Sequence, residues 1–125
     1  MNRLRVSTGL QRWDSPRLAA LGTDYYFARR YDDAIAQLRK TLEMDPGFYY
    51  VHVNLGQVLV AKRAFGEAIS EYQKARALND DPFVLGLLAH AYGSSGNKTE
   101  ALKLLEQLKE LSRQRYVSEI GRAHV

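Results

Sequence analysis

Leu55-Gly56-Gln57-Val58-Leu59 is followed nine residues later by Ala68 and then by Tyr72. The same phrase stands upstream as Leu21-Gly22-Thr23-Asp24-Tyr25, followed by Ala34 and Leu38. It stands downstream as Leu88-Ala89-His90-Ala91-Tyr92, followed by Ala101 and Leu105. The three alanines lie 34 and 33 residues apart. Self-similarity at this period marks stacked helical hairpins, each too small to bury its apolar face alone. The spacing therefore predicts an all-α fold of three helix-turn-helix repeats, and such stacks usually present a binding surface.

Local signals place the helices. Ser15-Pro16 reads as an N-cap with proline at the first helical position, where a missing N–H costs nothing. A helix is expected over 16–29, with Leu18, Leu21, Gly22 and Tyr25 at helical spacing. Asp32-Asp33 suit the first turn of the next helix, whose inner face is expected to be Ala34, Leu38 and Leu42. The stretch from Phe48 to Val53 is aromatic and β-branched, so propensity alone favours a strand. The register overrides it and predicts a helix over 48–62. Helices follow over 65–78, with Ala68, Tyr72 and Ala75 inward, and over 82–94, entered through Asp81-Pro82. Gly93-Ser94-Ser95-Gly96 is a turn, and Asn97 with Glu100 resembles a capping box opening a helix over 98–113.

The repeated small residues have a packing role. Gly22, Gly56 and Ala89 on each first helix, and Ala34, Ala68 and Ala101 on each second helix, let the two helices approach closely. A larger side chain there would force them apart, at about 1–3 kcal/mol. Leu21, Tyr25, Leu55, Leu59, Leu88 and Tyr92 are expected to fill the space between.

Composition narrows the function classes. The chain has 125 residues, 46% hydrophobic and 26% charged, which suits one domain with a packed core. No apolar run reaches the length of a membrane span, and the N-terminus lacks a signal peptide's apolar region. The absence of cysteine excludes disulfides and thiolate metal sites and fits a cytoplasmic location. The net charge is +4, but residues 15–114 carry 13 Lys/Arg against 12 Asp/Glu. A phosphate-binding face needs clustered cations, so nucleic acid is not an expected partner. His52, His90 and His124 form no metal-ligand spacing, and no nucleophile–base set is apparent. His52 is expected to pack within its repeat. Neither metal, cofactor nor enzymatic activity is expected.

These positions resemble the tetratricopeptide repeat, a unit of about 34 residues with the pattern W/L-x-x-L-G-x-x-Y, A-x-x-x-F and P. The matching residues are Leu18, Leu21, Gly22, Tyr25, Ala34, Leu38 and Pro46; Leu55, Gly56, Ala68, Tyr72 and Ala75; and Leu85, Leu88, Ala89, Tyr92, Ala101 and Leu105. His52 departs from the bulky apolar residue of the pattern, and Thr41 from its alanine. The resemblance implies a right-handed α-α superhelix over 14–118, with repeats at about 15–48, 49–81 and 82–115. Residues 1–13 fit no repeat.

Phe27-Ala-Arg-Arg-Tyr-Asp-Asp-Ala-Ile35, Leu88-Ala-His-Ala-Tyr-Gly-Ser-Ser-Gly96 and Leu108-Lys-Glu-Leu-Ser-Arg-Gln-Arg-Tyr-Val-Ser118 are similar to repeats of bacterial signalling proteins. In those proteins the array follows a Ser/Thr kinase or winged-helix domain. The resemblance implies a fragment of a longer array, and Glu119-Ile-Gly-Arg-Ala-His-Val125 is expected to be a non-native tail.

In the family the first helices line a concave groove. The resemblance therefore implies a peptide-binding groove formed by Thr23, Tyr26, Phe27, Tyr50, Val53, Asn54, Gln57, Phe83 and His90. Of the positions that clamp a C-terminal carboxylate in one branch of the family (here Ala19, Thr23, Asn54, Phe83 and Leu87), Asn54 alone is retained. The expected function is a protein–protein interaction module binding a protein or peptide segment. A structural spacer and an RNA-binding helical repeat are the alternatives. An apolar patch at Leu104, Leu108 and Leu111 on an uncapped last helix is expected to favour self-association.

Overall fold

The computed structural model describes the backbone of residues 12–123 and the side chains of residues 13–115. A 3-10 turn at Arg12–Asp14 leads into α1 (Ser15–Phe27), followed by α2 (Tyr31–Met44), α3 (Tyr49–Ala61), α4 (Phe65–Leu78), α5 (Pro82–Ser94) and α6 (Lys98–Ala123). The fold is all-α, and no strand occurs among the described residues. The helices pair as α1/α2, α3/α4 and α5/α6, with α2 also packed on α3. The chain divides into two units, one ending at Asn79 and the other beginning at Asp80. Most of the expected non-repeat segment 1–13, and His124 and Val125 of the expected tail, lie outside the described residues.

In the first unit, α3 is the central helix. Its buried residues include Tyr49, Val51, Val53, Leu55, Val58 and Leu59, on nearly every side. That explains why a β-prone sequence is helical: contact with α2 and α4 rewards apolar residues all round, and burial outweighs the weak strand preference. The small residues set the helix spacing. A Cβ on Gly22 would stand 2.6 Å from Leu38 Cδ2, and one on Gly56 would stand 2.6 Å from Tyr72 Cδ1. Ala34 and Ala68 are fully buried.

Three local expectations are corrected in this unit. Ser15 is the first residue of α1, whose N-cap is Asp14. The Ser15 hydroxyl is buried and donates instead across the hairpin to Asp45 Oδ2 at 3.3 Å. Leu21 is 39% exposed. The buried stripe of α1 is Ser15, Ala19 and Gly22, and Leu21 lies off it. Its counterpart Leu55 is buried because α2 covers that side of α3; no described helix covers the corresponding side of α1. On α2 the inner face continues from Ala34 and Leu38 to Thr41 and Met44, with Leu42 only half-buried. Thr41 satisfies its buried hydroxyl by donating to the Gln37 carbonyl at 2.8 Å.

The second unit is the α5/α6 hairpin. Asp81 caps α5 by accepting from the Phe83 N–H at 3.0 Å. Asn97 accepts from the Glu100 N–H at 3.4 Å, but the reciprocal half of the expected capping box is absent. The Asn97 N–H is already used by the Tyr92 carbonyl at 2.8 Å, so the Glu100 side chain pairs with Lys103. Two further corrections fall on α6. It runs to Ala123, beyond the expected end at 113, because no proline or capping sequence interrupts residues 114–123. Its inner stripe is Ala101, Leu104 and Leu108, while Leu105, the residue that matches the repeat pattern, is exposed. Leu104 is therefore buried, and the exposed leucines are Leu102, Leu105 and Leu111.

All three hairpin turns close alike. Arg29, Arg63 and Gly96 have φ of 60°, 63° and 93°. The N–H of each donates to a carbonyl three residues back (Tyr26, Val60 and Gly93), and the next N–H donates to Tyr25, Leu59 or Tyr92. This Schellman pattern requires a left-handed residue, normally glycine. A residue bearing a Cβ costs about 1 kcal/mol there, a cost the first two turns carry.

Candidate functional site

Within the first unit, α1 and α3 enclose a cleft of about 140 Å³ floored by Gly22, Leu38 and Val58. Thr23, Tyr26 and Phe27 line it from α1, and Asn54 and Gln57 line it from α3. Helical geometry explains the set. Thr23, Tyr26 and Phe27 occur at i, i+3 and i+4, and Asn54 and Gln57 at i and i+3, so each group shares one face. Gly22, held against Leu38 by the close approach of α1 and α2, leaves the floor open.

The walls have distinct chemistry. Tyr26 meets Phe27 edge-on at 5.4 Å and Tyr31 at 5.9 Å, forming an aromatic cluster. Phe27 is nevertheless 76% exposed, an unusual position for a large apolar ring. Thr23 donates to the Ala19 carbonyl at 3.2 Å. The Asn54 and Gln57 amides make no hydrogen bond to the described residues and are open to solvent. Each offers a donor and an acceptor, the complement of a peptide group.

The other candidates lie elsewhere. Tyr50 is on the first turn of α3, 66% exposed and stacked edge-on against Tyr49 at 5.0 Å. Val53 is buried in the α3 core and presents almost no surface to a ligand. Phe83 and His90 are exposed on α5, in the second unit. Thus the cleft gathers Thr23, Tyr26, Phe27, Asn54 and Gln57 and leaves the remaining four outside its lining.

A second depression, of about 470 Å³, lies along α2 and α4 and contains a polar cluster that the repeat pattern does not reveal. His52 Nδ1 is 2.8 Å from Glu71 Oε1, and its Nε2 is 2.8 Å from the Pro46 carbonyl. Lys74 donates to Glu71 Oε2 at 3.2 Å. Both partners of the ring are acceptors, so the imidazolium form, with two N–H donors, satisfies both. The hydrogen bond to Glu71 raises the His52 pKa above its ordinary 6.5, assisted by the Pro46 carbonyl and opposed by burial. Burial alone would raise Glu71, but hydrogen bonds from His52 and Lys74 outweigh it and lower its pKa from 4.5. His52 occupies a position where the repeats otherwise place apolar residues. That departure is visible in the sequence; its partner nineteen residues away is not. The cluster ties the turn before α3 to α4 and is structural. No group of three or more metal-ligating side chains occurs among the described residues.

Two tetratricopeptide repeat family models match, one over residues 19–82 and the other over 84–115. The chain belongs to the tetratricopeptide repeat family. Among solved structures it is similar to MamA of AMB-1, at 30% identity and a TM-score of 0.70 over 77% of this chain and 53% of that one. MamA of MSR-1 matches at 28% identity and a TM-score of 0.73, over 81% of this chain and 59% of that one. A CopN-Scc3 complex matches in fold at 21% identity and a TM-score of 0.75, over 83% of this chain and 62% of that one. The chain thus spans little more than half the length of these two MamA structures. A search of curated proteins gives no match. The tetratricopeptide fold and these neighbours are consistent with protein–protein interaction. No helix among the described residues is long and apolar enough to cross a membrane.

Proposed function

We propose that this tetratricopeptide module binds an extended peptide segment of a partner protein in the α1/α3 cleft. The observation that carries the reading is the pairing of an aromatic wall, half-buried Tyr26 and exposed Phe27, with two open amides, Asn54 and Gln57. The aromatic rings would take an apolar side chain, and the amides would hydrogen-bond the peptide backbone. Catalysis has no role in this reading. The sequence resemblance to kinase- and winged-helix-linked arrays supports a place in a bacterial signalling or regulatory protein.

Random-peptide phage display on the full chain tests the proposal. Enriched peptides should share an apolar or aromatic residue. They should lose binding when Phe27→Ala, Asn54→Ala and Gln57→Ala are combined. Absence of enrichment, or full binding by a folded triple variant, would refute it and leave the module as a spacer.

A further inference from the structure

The turns at Arg29 and Arg63 are costly where the equivalent turn at Gly96 is not. All three residues have positive φ and close the same hydrogen-bonded turn. Arginine adds nothing that glycine lacks to that backbone, so its side chain needs another explanation. The surrounding charges supply one. Lys62 pairs with Asp32, bringing the α3–α4 turn beside the start of α2. Arg30 pairs with Asp33 at 2.8 Å and lies over the Tyr25 ring at 4.9 Å. These pairs neutralise both aspartates. Arg29 makes no ion pair or hydrogen bond from its side chain among the described residues, and Arg63 has only the Phe65 ring, at 5.8 Å. Two exposed guanidinium groups therefore remain uncompensated on neighbouring turns, with Arg29 two residues beyond Phe27 of the cleft.

We propose that Arg29 and Arg63 form a cationic ledge that binds Asp or Glu side chains of the partner peptide, beside the apolar residue held in the cleft. The proposal rests on the groove reading for that neighbouring residue. Guanidinium groups suit carboxylates through paired, charge-assisted hydrogen bonds. A peptide fits better than a nucleic acid backbone. Two uncompensated cations are too few to hold a continuous row of phosphates, and the repeat body has no cation cluster of the size that counterion release requires.

The test repeats the display selection with the full chain carrying Arg29→Gly and Arg63→Gly. Glycine suits positive φ, so the variant should unfold at a higher denaturant concentration than the wild type. Loss of binding could then not be ascribed to misfolding. Wild-type selections should enrich Asp or Glu next to the apolar residue. The double variant should retain the apolar preference, lose the acidic one, and bind the acidic peptides at least tenfold more weakly. Apolar enrichment without acidic enrichment in the wild type, or equal acidic enrichment in both proteins, overturns the ledge and leaves the groove standing. No enrichment of any kind overturns both. Retention of a random RNA 20-mer by the wild type, lost in the double variant, would assign the ledge to phosphate and overturn the peptide proposal.

Discussion

Gly56 and His52 lie within one turn of each other on α3, and each meets an immobile neighbour. A methyl at Gly56 would collide with the Tyr72 ring, which is 2% exposed and enclosed by the core. We expect Gly56→Ala to lower stability by about 1–3 kcal/mol, read as a lower urea midpoint with unchanged slope. His52 gives a pH dependence whose sign is fixed by its partners. Its raised pKa contributes stability that is complete below 6.5 and is lost as pH rises through the folded value. The lowered pKa of Glu71 contributes stability above 4.5 that is lost as pH falls through its folded value. The pair is therefore most effective between 4.5 and 6.5. Denaturation of wild type and His52→Leu across pH should show a wild-type advantage that shrinks above that window. An advantage that stays constant into alkaline pH would exclude the doubly donating imidazolium.

At the scale of helices, α6 is half used. Ala101, Leu104 and Leu108 face inward, leaving Leu102, Leu105 and Leu111 exposed. Replacing Leu105 and Leu111 by glutamate should remove concentration-dependent light scattering while preserving helicity by circular dichroism. A wild type that scatters as a monomer at every concentration would show that this face does not self-associate. The same helix shows how far sequence could be read. Its existence follows from the repeat period, but choosing between Leu104 and Leu105 depends on a one-residue rotation that a run of leucines leaves open. Leu21 departs from expectation for a different reason: it lies off the buried stripe of α1, whereas its counterparts Leu55 and Leu88 are buried, and nothing in the repeat pattern marks the difference. For the cleft, helical spacing alone groups Thr23, Tyr26 and Phe27. Bringing them to Asn54 and Gln57 requires the α1–α3 proximity that stacking creates. Nothing local announces that Arg29 and Arg63 have positive φ; only alignment with Gly96 across the repeats does so.

For the whole molecule, the proposed groove confines recognition to the first unit. The cleft is lined entirely by α1, α2 and α3 of the first unit. Phe83 and His90 are also exposed aromatic candidates, but they lie on α5 of the second unit and line no part of it. Binding energy at protein interfaces concentrates in a few well-placed aromatic and arginine side chains. For a peptide selected on the full chain, Phe27→Ala should weaken binding by about 1–2 kcal/mol, roughly five- to thirtyfold in Kd. Combined Phe83→Ala and His90→Ala should change Kd by less than about twofold, within about 0.4 kcal/mol. Titration of the same labelled peptide into the three folded proteins by fluorescence anisotropy makes the comparison. A loss at Phe83 and His90 as large as that at Phe27 would mean that the ligand needs both units, and would enlarge the recognition site beyond the α1/α3 cleft.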